Sequence, residues 1–250
     1  MSHSPAGTCS SSRGGGGAVG QRRGLLALLQ LADSAFPTGA FAHSDGIEAL
    51  AADRLVGGGA ELEALLAAHR RLSLARGDAA LARRGWQATA RQDAEGLRRV
   101  AELELAARPA RVQREAALAV GGGLLRAALA AALAGESARV EWIIGSLAGR
   151  TPRAAVFGAV SEAFGAGEEQ AIEAYAYTVL AGMVGAAVRL GRIGPAEGQG
   201  ILRRVIAGEA AAAPGLPSVA EGDDDVAWFA PLLDVAAMRH ELLDVRLFAS

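Results

Sequence analysis

Lysine and asparagine are both absent from the 250 residues, so all 25 basic residues are arginine. That bias reads as the codon usage of a GC-rich genome, and it lowers the information carried by any single Arg. The missing lysine excludes a Walker A phosphate loop, which needs one to reach the phosphates. Cysteine occurs once, at Cys9. A lone cysteine excludes an intramolecular disulfide and points to a reducing, cytoplasmic setting. Histidine is nearly as sparse: His3, His43, His69 and His240 form no His-x-His or His-x-x-x-His pair. No metal ligand set and no cofactor site is therefore expected. Aromatics make up only 4% against 51% hydrophobic residues, which leaves Ala, Leu and Val to build the core. Such small side chains bury little area each and demand close helix approach. The formal net charge of −2 argues against a nucleic-acid partner. Membrane spans are not expected either. The run from Ala116 to Leu133 carries Arg126, at a cost of about 2.5–3.5 kcal/mol near a span centre. Between Glu173 and Arg189 there are only fifteen uncharged residues, fewer than a bilayer needs.

What is present reads as helix from Gly24 onward. Residues 1–23 are dominated by Ser, Gly and Arg and lack apolar periodicity, so they are expected to form a disordered tail. No apolar run follows the early charges in the manner of a secretory signal. After a helix at Leu25 to Ala32, Gly57-Gly58-Gly59 makes a flexible break. Leu62, Leu65, Leu66, His69 and Leu72 then share one helical face, with Arg70 and Arg71 at its polar end. Asp78 to Gln92 and Ala94 to Arg108 are helices rich in surface Arg. Pro109 opens a helix to about Ala134 whose centre is Gly121-Gly122-Gly123. Each of these glycines costs roughly 1 kcal/mol relative to Ala, so a break, a kink or very close helix contact is expected there. Ala138 to Leu147, Pro152 to Phe164 and Glu168 to Leu190 follow. In the last, Thr178, Gly182 and Ala186 form a small-residue stripe suited to close packing by another helix. Pro195 starts a helix through Leu202 and Val205, and residues 208–222 form a long loop. A final helix after Pro231 puts Leu233, Ala236, Ala237 and His240 on one side. The expected fold is all-α, a single-domain multi-helix bundle over residues 24–250 with a disordered N-terminal tail.

Two constellations invite catalytic readings. Asp223-Asp224-Asp225 looks like the metal-binding aspartates of all-α prenyl-transfer enzymes, but Ala227 and Trp228 stand where a further carboxylate is needed. A solvated acidic helix start is the better reading. Asp33, Ser34 and His43 supply the residue types of a hydrolase triad without the Gly-x-Ser-x-Gly elbow. No catalytic residue is expected.

The stretch from Leu31 to Glu48 differs from everything around it. Phe36-Pro37-Thr38-Gly39 reads as a turn, in which Pro37 sets φ and Gly39 permits a positive one. Phe36 and Phe41 flank and pin it. His43 or Ser44 can cap a helix running through Ile47 and Leu50, with Asp45 in its first turn. Leu31, Pro37, Gly39, Phe41, Ser44, Gly46 and Glu48 fall on a Leu-x-x-x-x-x-Pro-x-Gly-x-Phe-x-x-Ser-x-Gly-x-Glu pattern. That pattern resembles the N-terminal signature of the urease accessory protein UreF family. About 200 residues later, Met238-Arg239-His240-Glu241 and Arg246-Leu247-Phe248-Ala249-Ser250 are similar to the family's tail, with Ala249 where the family often has Arg. Leu242-Leu243-Asp244-Val245 is less polar than is common there.

The resemblance implies an all-helical, cytoplasmic, non-enzymatic assembly factor. Such a factor is a homodimer that bridges the scaffold protein UreD/UreH and the GTPase UreG for nickel delivery into apo-urease. It implies partner-binding roles for Phe36, Pro37, Gly39, Phe41, His43, Ser44 and Glu48. In the tail it implies them for Arg239, His240, Glu241, Arg246, Leu247 and Phe248. From the residues alone, Leu247 and Phe248 read as exposed apolar residues at a chain end, flanked by Arg239 and Arg246 in a geometry suited to docking on another protein. The competing reading of the whole chain is an all-α small-molecule enzyme.

Overall fold

Small residues set how closely the helices approach. In the computed structural model, which describes residues 15–208, 226 and 228–249, these form eleven α-helices and no strand. The helices are α1 (Gly15–Leu31), α2 (Ile47–Ala52), α3 (Gly59–His69), α4 (Asp78–Ala90), α5 (Ala94–Ala106) and α6 (Arg111–Ala131). They continue with α7 (Ser137–Leu147), α8 (Arg153–Ala163), α9 (Glu168–Arg189), α10 (Pro195–Ala207) and α11 (Pro231–His240). At the centre lies α8, buried from Ala154 through Ser161, as a helix apolar all round must be. Its closest neighbour is α4. A Cβ on Gly158 would stand 1.8 Å from the carbonyl oxygen of Ala82, and one on Gly85 2.3 Å from that of Ala155. The two backbones therefore touch, and only glycine fits at the crossing. α6 and α9 cover other sides of α8, and the Tyr175 ring on α9 meets that of Phe157 at 5.3 Å between centroids, tilted by 59°.

The glycine triplet does not break α6, which runs unbroken through it. A Cβ on Gly121 would lie 2.0 Å from the Thr151 carbonyl, and one on Gly123 2.2 Å from that of Thr38. Close contact is thus the answer among the three that the sequence leaves open.

Several expectations need correction. Helix α1 starts at Gly15, inside the stretch read as tail; residues 1–14 lie outside the described part. After α3 the chain makes a π-helical turn, Arg70–Leu74. Its extra residue rotates the register, so Leu72 is exposed while Ser73 and Arg70 are buried. Arg108, read as a surface arginine, is fully enclosed. Of the stripe on α9, only Ala186 is buried. Gly182 is exposed, with open space where its Cβ would be, because none of the described helices covers that side. α9 is the one described helix long and apolar enough to cross a membrane, yet it packs within the bundle against α4, α8 and α10.

Candidate functional site

The two motifs, remote in sequence, meet in space. In the first, the Asp33 carboxylate accepts from the Ala35 amide at 2.8 Å, and the Asp33 carbonyl accepts from Phe36 N at 3.0 Å. Pro37 then directs the chain to Thr38, whose hydroxyl accepts from Ala40 N at 3.1 Å. Gly39 follows at φ +82° and opens a 3-10 turn, Ala40–Ala42. Phe36 is partly buried against the core, whereas Phe41 is 70% exposed, so only one of the two phenylalanines pins the elbow. Neither His43 nor Ser44 caps α2. Asp45 and Gly46 both have positive φ, 49° and 90°, and the capping position falls to Gly46 with no side-chain bond. The space a capping side chain would fill is taken by α11: a Cβ there would meet Leu233 at 3.3 Å and Ala236 at 3.5 Å. Ser44 is buried. Asp45, outside the helix, pairs with Arg153 at 3.1 Å.

Glu48 joins the motifs. Its carboxylate is buried and accepts from His240 Nε2 at 2.8 Å. It also accepts from the amides of Leu247 at 2.5 Å and Phe248 at 3.3 Å. The Ala249 amide donates to the Ala42 carbonyl at 2.8 Å, which lays the tail along the elbow. Arg239 pairs with Asp53 at 2.6 Å and Glu241 with Arg111, both on the rim. Phe248 is buried rather than exposed; Leu247 and Arg246 remain exposed. The Arg189 guanidinium lies over the rings of Phe41, at 3.7 Å, and Phe248, at 4.7 Å. Arg189 escaped the sequence reading because nothing local separates it from the other arginines.

Behind the elbow is a buried polar cluster. Arg108 bonds Asp78 at 2.6 Å and Glu104 at 3.1 Å, beneath the Trp228 ring at 5.0 Å. Glu104 also accepts from the amides of Ala154 and Ala155, at 3.0 and 2.8 Å, at the N-terminus of α8 where the helix dipole favours an anion. Burial nevertheless pushes the Glu104 carboxyl up. Burial holds His43 and His69 below the ordinary imidazole value. Asp45 goes the other way: Arg153 outweighs the effect of burial and lowers it. Within the cluster, Arg108 is paired with Asp78 and Glu104, and Arg153 with Asp45. Among the described residues no three His, Cys, Asp or Glu side chains are grouped to hold a metal. The triad types of Asp33, Ser34 and His43 do not converge: Asp33 and Ser34 are exposed and Asp33 bonds its own turn. Asp223 to Asp225 lie outside the described residues.

The surface beside the joined motifs is apolar. On α11, Leu232, Val235 and Met238 point outward, each about half exposed, while Leu233, Ala236, Ala237 and His240 point inward as expected. Leu242, Val245 and Leu247 extend the outer stripe along the tail, all of them exposed. An open groove of about 580 Å³ runs between the elbow and the Gly182 side of α9. The outer side of α1 adds Leu25, Leu26 and Leu29.

The chain is similar to known proteins over most of its length. The family model described as UreF matches residues 56–206, a span that stops short of the elbow and of the tail. Full-length relatives extend further. The urease accessory protein UreF of Paenarthrobacter aurescens (strain TC1) is 33% identical over 227 residues, covering 90% of this chain and 97% of that protein. That of Allorhizobium ampelinum is 32% identical over 239 residues, covering 91% and 96%. That of Azoarcus sp. (strain BH72) is 33% identical over 229 residues, covering 90% and 95%.

Proposed function

Because this chain belongs to the UreF family of urease accessory proteins, we propose that it is a non-catalytic assembly factor for the urease nickel centre. In this reading it bridges the scaffold protein UreD/UreH and the GTPase UreG, in the cytoplasm, so that GTP hydrolysis is coupled to nickel delivery into apo-urease. The chain itself hydrolyses no GTP, since it has no lysine for a phosphate loop. Homodimerisation needs a further apolar surface, and the outer face of α1 offers one.

The observation that carries the reading is the apolar stripe of α11 and the tail. Six large apolar side chains, Leu232, Val235, Met238, Leu242, Val245 and Leu247, face solvent along one segment. Buried Phe248 and the Glu48 carboxylate hold that segment in place. A contiguous exposed apolar patch rimmed by charge is the mark of a protein-binding face. Its rim here is Arg239, Glu241 and Arg246. The scaffold protein is assigned to this face.

The test is co-purification. Replacing Leu232, Val235 and Met238 together by Glu should abolish capture of the scaffold protein while helical circular dichroism stays unchanged, because none of the three belongs to the buried core. Capture at full strength by that variant would place the scaffold elsewhere.

A further inference from the structure

Beneath α11 and the elbow is a small, partly open chamber of about 50 Å³. One wall is mostly apolar, from α6, which also brings Gln113, and from Leu233 and Ala237 of α11; the other carries His43, Asp45, His69, Asp78, Arg108 and Arg153. Three polar atoms of that second wall make no hydrogen bond within the protein: Asp78 Oδ2, His69 Nδ1 and Arg153 Nε. Asp78 and His69 are both more than nine-tenths buried, so bulk solvent does not serve them. Asp78 uses its other oxygen for Arg108 at 2.6 Å, while Oδ2 stands 3.7 Å from the Arg153 guanidinium. That gap is too long for a hydrogen bond, and a single bridging water suits it.

The chemistry of the unpartnered atoms selects the ligand. Asp78 Oδ2 requires a donor, Arg153 Nε–H requires an acceptor, and His69 Nδ1 can serve as either. An anion would satisfy the arginine and repel the aspartate. A cation would do the reverse. Water alone is donor and acceptor together, and the volume holds roughly two molecules. We propose that the chamber is a built hydration site, in which ordered water links Asp78 Oδ2, His69 Nδ1 and Arg153 Nε and forms the floor on which α11 and the elbow rest. The site follows from the geometry of this chain and does not depend on the partner assignments.

Two measurements decide it. A high-resolution crystal structure of the full chain should show ordered water within hydrogen-bond distance of Asp78 Oδ2. Direct bonding of Asp78 to Arg153 across a dry chamber would overturn the proposal. The second is Ala117→Leu, which pushes an apolar side chain into the chamber from α6. If water is displaced from polar groups that nothing else can serve, Tm should fall by roughly 3–10 °C. A Tm equal to or above that of the unmodified chain is the response of a dry void being filled, and it too would overturn the proposal. Should Ala117→Leu fail to fold, the crystal structure of the unmodified chain decides alone.

Discussion

Glu48 is the residue on which the two ends of the chain depend. A carboxylate at its position satisfies two backbone amides and one imidazole, of which the imidazole and the Phe248 amide would otherwise be buried without an acceptor. Hydrogen bonds to a charged group contribute about 1.5–3 kcal/mol each in favourable settings, and their contributions overlap when they share one carboxylate. Glu48→Ala should therefore lower unfolding stability by about 2–4 kcal/mol. It should also free the tail, which limited proteolysis would register as cleavage after Arg246 before any cut in the bundle. Glu48→Gln keeps an acceptor and should lose less. Equal protection of the tail in Glu48→Ala and the unmodified chain would mean that Phe248 and its contact with Arg189 hold the tail without help.

Among the elements, α6 shows how one local feature resolves into different roles. Gly121 and Gly123 face backbone carbonyls that a Cβ would strike, whereas a Cβ on Gly122 would have only the Thr151 hydroxyl at 3.4 Å and the Arg126 guanidinium at 3.5 Å near it. Substituting alanine should thus have opposite signs within three consecutive residues. Gly121→Ala and Gly123→Ala should each destabilise by about 1–3 kcal/mol, through forced separation of α6 from Thr151 and from the elbow. Gly122→Ala should be neutral or stabilising by up to about 1 kcal/mol, through helix propensity. Urea denaturation of the three variants checks the pattern, and a uniform response would contradict the packing. The π-helical turn makes a related point. One extra residue in the turn moves Leu72 out and Ser73 in, a rotation that the apolar spacing of α3 extended onward does not contain.

For the whole molecule, the buried polar cluster should make stability depend on pH. Burial lowers His69 and His43 below the ordinary 6.5, so the unfolded chain takes up protons at a higher pH than the folded one. Their contribution is complete above about pH 6.5 and is lost as pH falls towards the folded-state values. Glu104 acts in the opposite sense. Its pKa is raised by burial, and it favours the folded state most at pH below the ordinary carboxylate value. The histidine part is isolated by comparison with His69→Gln, which cannot be protonated. Between pH 6.5 and 5, the unmodified chain should lose more stability than this variant, as read by urea denaturation at each pH. Parallel pH profiles would show that His69 gains a proton as readily in the fold as outside it.

Much of this protein is legible in its order of residues, because the signals involved are local. Pro195 and Pro231 open α10 and α11 where they stand, and the inward set on α11 follows from helical spacing alone. The absent lysine rules out a lysine-bearing phosphate loop, and the lone cysteine an intramolecular disulfide, before any fold is known. The two motifs likewise announce the family by themselves. What they do for each other was decided only by tertiary structure. Glu48 and His240 are 192 residues apart, and no periodicity couples residues at that distance. The same applies to Phe41 and Phe248, which the sequence presents as a core pin and an exposed tip. Their roles are reversed because the tail folds back over the elbow and excludes water from Phe248. Among 25 arginines, Arg108 is drawn into the core by Asp78 and Glu104, and Arg189 is placed against two rings. Composition makes each of them look like surface charge, and only the packing of separate helices around them distinguishes them from the rest.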